Sequence, residues 1–384
     1  MQRFYFDHNA TTPVAPEVLE TLSSCLAQVY GNASSIHSFG QAAKQQLELA
    51  RRRLAALIHA TPAELVFTAG GTEADNMALL GVVRAARRPA RHVITTAIEH
   101  PAVLSTCVSL EAEGVAVTRL RTGTNGVLDP DEVRRALRPE TVLVSVMHAN
   151  NELGTVQPIA EIARVTREAG VPFHVDGVQA LGKLPVDVDA LGVDLYSMSA
   201  HKIYAPKGVG ALYIRRGTNI APVTFGGHHE RNRRPGTENV PSIAAFGAAA
   251  ELAGSRIAAE SERLAALRDR LENTVLARIP GTGINGMRWK RTPNTSNLYF
   301  DGIDGEALVI ALDLRGFAVS TGAACSSGAL TPSHVLTAIG LSPDRARSSM
   351  RFSLGLSNTA AQVDDLAEAL SAAVQHLRRI SVHA

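Results

Sequence analysis

The sequence predicts an α/β protein in which a large domain around a mainly parallel seven-stranded sheet precedes a smaller α+β domain, and three observations carry that prediction. The chain has 384 residues and is 45% hydrophobic, enough to bury more than one core. Short apolar runs alternate with stretches of helical periodicity through most of it, the pattern of βαβ units. After Gly254 the alternation gives way to long amphipathic helices separated by brief strands.

The elements follow in order. Leu47, Ala50, Leu54, Leu57 and Ile58 recur at helical spacing between Gln41 and His59, and Thr61-Pro62 stops that helix. Glu64–Thr68 reads as the first strand of the sheet. Further strands are expected at His92–Thr95, Val115–Arg119, Val142–Met147, Phe173–Val175, Asp194–Met198 and Gly210–Ile214, separated mostly by helices such as Pro158–Ala169. Beyond Gly254, Leu264, Leu267, Leu271 and Val275 mark a long amphipathic helix. Short strands are expected near Asn297–Phe300 and Arg351–Leu354, and Val363, Leu366, Leu370, Val374 and Leu377 share a face of the last helix.

Composition excludes several classes. The 38 basic residues nearly balance 36 acidic ones, with no long run of one sign, which argues against nucleic acid or an anionic membrane as a partner. Met1–Asp7 lacks a basic segment followed by an apolar run, and no apolar stretch is long enough to span a bilayer, so a cytoplasmic protein is expected. The three cysteines, Cys25, Cys107 and Cys325, lie far apart without a C-x-x-C, which suggests neither a disulfide framework nor a zinc site.

Ligands of open parallel sheets bind beyond the carboxyl ends of the strands, so the residues just after each strand are informative. After Phe67 comes Thr68-Ala69-Gly70-Gly71-Thr72-Glu73, a glycine turn and hydroxyl opening a helix, which suits a phosphate but equally reads as a capped helix. Phe173–Val175 runs into Asp176-Gly177-Val178-Gln179. There Asp176 either caps a helix or pairs with a protonated ring nitrogen, as carboxylates do in enzymes that use pyridoxal phosphate (PLP). Asp194–Met198 delivers Ser199-Ala200-His201-Lys202. Only five lysines occur, and lysine is the side chain that can form a Schiff base with PLP and then carry a proton. The glycine turn, Asp176 and Lys202 together, in this order, favour PLP over a surface loop.

These residues resemble the cysteine desulfurases of the NifS and IscS type, within the class V aminotransferases and the fold-type I PLP enzymes. The resemblance spans nearly the whole chain, from Asp7-His8-Asn9-Ala10-Thr11-Thr12-Pro13 to Ser348–Gly355. It implies that Lys202 bonds the cofactor, that His100 in Ile98-Glu99-His100 stacks on its ring and assists proton transfer, and that Asp176 pairs with the ring nitrogen. It further implies that Gln179 bonds the ring hydroxyl, that Gly71, Thr72, Ser199 and His201 hold the phosphate, and that Asn151 and Arg351 orient the substrate carboxylate. Thr237, in Arg234–Asn239, would reach the phosphate of a neighbouring subunit, which implies a homodimer. The expected division is residues 15–254 for the large domain, and 1–14 with 255–384 for the small one. Two departures stand out: Gly71 replaces an alanine common in relatives, and Gly177-Val178 replaces a small residue and a threonine.

Cys325 sits in Val319–Pro332, a run of small, polar and glycine residues that reads as a mobile, exposed loop, whereas Cys25 and Cys107 fall on apolar helical patterns. In the implied reaction L-cysteine gives its sulfur to Cys325, leaving L-alanine and a persulfide that passes to an acceptor protein such as an iron–sulfur scaffold or a thiolation carrier. The rivals are an aminotransferase or lyase for which Cys325 is incidental, a preference for selenocysteine, and a non-catalytic PLP-fold protein. A metal enzyme using His174, His228 or His229 with Asp176 is the last.

Overall fold

The computed structural model describes residues 2–322 and 332–381. Its strands are β1 (Phe4–Tyr5), β2 (Leu65–Thr68), β3 (His92–Thr96), β4 (Ala116–Leu120), β5 (Thr141–Ser145), β6 (Phe173–Asp176), β7 (Leu195–Ser199), β8 (Gly210–Ile214), β9 (Thr282–Ile284), β10 (Thr295–Phe300), β11 (Phe317–Ala318) and β12 (Ser349–Ser353). The helices are α1 (Pro16–Gln28), α2 (Ser38–Leu57), α3 (Gly71–Ala85), α4 (Pro101–Ala112), α5 (Pro130–Ala136), α6 (Ile159–Glu168), α7 (Val188–Leu191), α8 (Val240–Arg278), α9 (Gly305–Asp313), α10 (His334–Ala338), α11 (Pro343–Arg347) and α12 (Ala360–Ser381).

The central sheet has seven strands in the order β2-β8-β7-β6-β5-β3-β4, and all pairings are parallel except the two that β8 makes with β2 and β7. Side chains alternate across it as a period of two requires. Leu65, Phe67, Phe173, Val175, Tyr196 and Met198 join a core with α1, α2 and the start of α8, while Val66, Val93, Leu143, Leu195 and Leu212 pack with α3 and α4 on the other face. A sheet covered on both faces leaves its strand ends as the accessible edge.

One helix departs from the sequence expectation. The long helix begins at Val240 rather than after Gly254, so the expected boundary falls inside α8. Its first turns are built from Ala244, Ala245, Ala249 and Ala250, small residues whose weak periodicity hides a helix buried in the larger core. Leu264, Leu267, Leu271 and Val275, further along, pack in a second core with Phe6, Phe300, Phe352, Leu366 and Leu370.

The N-terminal segment ties these cores together. β1 pairs with β11, and Asp7 lies opposite Ser353 at the edge of the β12-β10-β9 sheet. The chain then crosses to the large sheet, where both Thr12 N and Thr12 Oγ1 donate to the His201 carbonyl. Residues 8–11 therefore pass over the carboxyl ends of β6 and β7.

Candidate functional site

The turn after β2 leads directly into α3, and Glu73 accepts from the Ala69 N–H to close it. This sets Gly71 and Thr72 at the start of a helix whose first N–H groups have no intrahelical partners, the local chemistry that favours an anion. Asp176 ends β6. Its Oδ1 accepts from Val178 N at 2.9 Å, and burial raises its pKa while the positive charges of His100 and Lys202 oppose the rise.

His100 caps α4, with Nδ1 accepting from Ala102 N at 3.1 Å and Pro101 at the first helical position. Burial lowers its pKa, the charge of Asp176 opposing that shift, and with Nδ1 accepting from Ala102 N the ring's exchangeable proton is assigned to Nε2. Ser199 ends β7, and Lys202 closes the single 3-10 turn that follows. Lys202 Nζ donates to the carbonyls of Asn9 at 2.6 Å and Ala10 at 2.7 Å. His201 Nδ1 pairs with Thr11 Oγ1 at 3.0 Å; burial, then the nearby lysines, push its pKa down to about 4.

A cavity of about 240 Å³ brings together most of the sequence-predicted residues: Gly71, Thr72, His100, Asn151, Asp176, Gln179, Ser199, His201 and Lys202. At the α3 end it adjoins a wider opening of about 650 Å³, which shares Gly71, Thr72, Ser199 and His201 and adds Lys207 and Asn76. Arg351 and Thr237 line neither space. Arg351 is buried, with Nη2 on Asp7 Oδ1 and Nη1 on the Asn151 carbonyl, and Thr237 is exposed on the chain segment leading into α8. Cys325 lies outside the described residues. Cys25 and Cys107 are both buried.

Sequence reasoning missed several members of the site. Asp75, one turn into α3, is buried in the cavity wall, and burial followed by the charge of Asp176 raises its pKa well above the usual carboxylate range. An acid on the same helical face as Gly71 and Ala78 was the available signal. Asn9 was missed too: its carbonyl accepts from Gln179 Nε2 at 2.9 Å and its Oδ1 from Lys183 Nζ at 3.2 Å. His174, considered for a metal, has both ring nitrogens engaged, with Ser145 Oγ at 2.8 Å and Ser197 Oγ at 2.9 Å.

The two sequence departures meet in space. A Cβ on Gly71 would stand 2.7 Å from Val178 Cγ2, so the missing methyl makes room for valine. A Cβ on Gly177 would stand 2.0 Å from the ring of Tyr196, whose hydroxyl pairs with His148 Nδ1 at 2.9 Å. Both glycines thus yield space to larger neighbours, Gly71 to a valine that lines the cavity and Gly177 to a tyrosine buried beneath it in the large core.

The family model for class-V aminotransferases matches residues 4–366. The chain belongs to that family. Among similar class-V proteins, a cysteine desulfurase IscS of Dictyoglomus turgidum is 47% identical over 377 residues, covering 98% of this chain and 96% of the relative. A cysteine desulfurase of a Nostoc species is 47% identical over 381 residues, covering 99% and 95%. A solved NifS-like protein superposes with a TM-score of 0.92 at 35% identity, covering 98% of this chain and 100% of that one.

Class-V aminotransferases depend on PLP, and the donor set here fits that group. A buried carboxylate, Asp176, suits a protonated ring nitrogen, and the amide of Gln179 suits a ring hydroxyl. The Thr72 and Ser199 hydroxyls, with His201 and the start of α3, suit a phosphate at the wider end. No helix among the described residues is long and apolar enough to cross a membrane.

Proposed function

We propose that this protein is a cysteine desulfurase, using PLP to convert L-cysteine to L-alanine and leaving the sulfur as a persulfide on Cys325. The convergence of Lys202, Asp176 and His100 on one cavity, in a chain 47% identical to a cysteine desulfurase, carries this reading.

When bound, PLP supplies an electron sink for bond cleavage next to the substrate's α-carbon. Lys202 Nζ anchors it and afterwards carries a proton, a task that suits an amine held among carbonyls and beside a carboxylate. Asp176 would hold the ring-nitrogen proton, Gln179 would orient the ring hydroxyl, and Asn151 would help orient the substrate carboxylate. His100 Nε2 is the ring atom that exchanges a proton with substrate, since Nδ1 is committed to Ala102. Arg351 takes the substrate carboxylate. The Cys325 thiolate attacks the substrate sulfur: an S–S bond forms, the C–S bond breaks, and a proton completes the methyl group of alanine. The persulfide then passes to an acceptor protein, an iron–sulfur scaffold or a thiolation carrier, in the cytoplasm.

The protein acts as a homodimer in which Thr237 completes the phosphate site of the neighbouring subunit. Its exposure, and the wide opening at the phosphate end, support that reading. Residues 15–254 form the PLP-binding unit, and 1–14 with 255–384 form the unit that carries Cys325.

The test is alanine and persulfide formation from L-cysteine by the PLP-loaded protein and by Cys325→Ala. The variant should keep its yellow colour and lose alanine release. Unchanged release would overturn sulfur transfer to Cys325 and favour a lyase or aminotransferase. After borohydride reduction, mass spectrometry should place a phosphopyridoxyl group on Lys202.

A further inference from the structure

Arg351 already holds a carboxylate of its own chain. Its Nη2 donates to Asp7 Oδ1 at 2.6 Å and its Nη1 to the Asn151 carbonyl at 3.1 Å, with its side chain 3% exposed. Asp7 is set there by the backbone: Ser353 N donates to Phe6 O and His8 N to Ser353 O, which lays Asp7 beside β12, the strand that carries Arg351. The Asp7 side chain is 18% exposed, so it has a route toward solvent that the guanidinium lacks. An incoming carboxylate and Asp7 seek the same fork of donors.

We propose that Asp7 is a specificity-determining residue whose carboxylate occupies Arg351 in place of the substrate carboxylate, so that substrate binds by exchanging with it. The proposal rests on the desulfurase reading in taking Arg351 as the partner of the substrate carboxylate. One carboxylate leaves the guanidinium as another arrives, so the charge there is unchanged and the affinity is the difference between two ion pairs. A ligand without a carboxylate leaves the Asp7–Arg351 pair closed and gains nothing from Arg351. Removing the charge of Asp7 therefore strengthens binding of carboxylate ligands and leaves others alone.

Propionate, which lacks an amine and cannot react, is the probe, titrated into the PLP-loaded protein by calorimetry. Asp7→Asn should bind it about threefold or more tighter than wild type, near the low end of what one hydrogen bond supplies, and lower the KM for L-cysteine in parallel. Cysteamine, which has the thiol and amine without the carboxylate, should bind both proteins alike. Equal or weaker propionate binding by an Asp7→Asn protein of unchanged melting temperature overturns the proposal and makes Asp7 a support that aims Arg351. A measurement on the wild-type protein stands if that variant does not fold: saturating propionate should increase carbodiimide labelling of Asp7, and unchanged labelling overturns the exchange. Arg351→Ala separates the two readings, because propionate binding that survives it removes Arg351 as the carboxylate partner whatever Asp7 does.

Discussion

Lys183 Nζ donates to Gln179 Oε1 at 2.5 Å, four residues away in the turn that follows β6. The bond fixes which end of the Gln179 amide is the acceptor, and Gln179 Nε2 in turn donates to the Asn9 carbonyl. Lys183 is buried, and burial, then the charges of Lys202 and Arg351, push its pKa well below the ordinary lysine value of 10.5. The residue that aims a proposed cofactor contact is thus an amine whose charged form burial disfavours.

Replacing Lys183 with Met removes that amine and leaves Gln179 Oε1 without its donor. PLP should bind about fivefold more weakly, the loss expected for one positioned hydrogen bond, as read by equilibrium titration of the visible band. The pH dependence has a definite sign. Between the depressed folded value and 10.5 the unfolded chain holds a proton that the folded chain does not, so wild-type stability rises with pH through that window. Lys183→Met should show a flatter rise in its urea midpoint. An identical slope in both proteins would remove Lys183 as the titrating group.

Glu99 gives the opposite sign. Burial pushes its pKa up from 4.5 to about 8, although Thr96 Oγ1 and Met147 N both donate to Oε1. Between those values the folded chain keeps a proton that the unfolded chain has lost, so this group's contribution to stability falls as pH rises. Glu99→Gln preserves an oxygen for both donors and cannot ionise. Its stability relative to wild type should therefore improve from about pH 5 to about pH 8, measured by urea unfolding at both. A constant difference would show that Glu99 ionises normally.

The strands of the central sheet and the residues just beyond them were legible in the sequence because apolar periodicity and strand-end chemistry are local; the short β1, β9 and β11 were not. Asp176, Ser199, His201 and Lys202 each sit within a few residues of the strand that presents them. What stayed hidden is joined only by folding. Asp7 meets Arg351 across 344 positions, and Asn9 reaches Gln179 and Lys183 across 170 and 174. No short-range pattern encodes such pairs. The start of α8 stayed hidden for another reason: alanine packs into the core without marking a face strongly.

The Gly71–Val178 contact was visible only as two separate departures. Gly71→Ala places a methyl 2.7 Å from Val178 Cγ2 and should destabilise the protein by about 1–3 kcal/mol through overpacking. Adding Val178→Ala should recover most of that loss, a coupling that a double-mutant cycle in urea reads directly. Additive effects would mean that the two side chains do not share the space.

The segment leading to Thr237 hangs on a buried ion pair. Glu230 accepts from Arg51 through both oxygens, at 2.6 and 2.9 Å, and Oε2 also accepts from Phe67 N in β2; both charged side chains are 3% exposed. The backbone accepts positive φ at Glu230, Arg231 and Asn232 to bring the carboxylate in, which costs energy for residues other than glycine. Glu230→Ala leaves the buried Arg51 with only the more exposed Glu48 carboxylate, at 3.3 Å from Nε, and strands the Phe67 N–H. The expected loss is about 3–5 kcal/mol, larger than for the neutral isostere Glu230→Gln, which keeps an oxygen for one donor. Native-state trypsin digestion should locate the effect: the chain should be cut after Arg231 and Arg233 faster in Glu230→Ala than in wild type. Equal cleavage rates would show that the pair stabilises the core without holding the segment that presents Thr237.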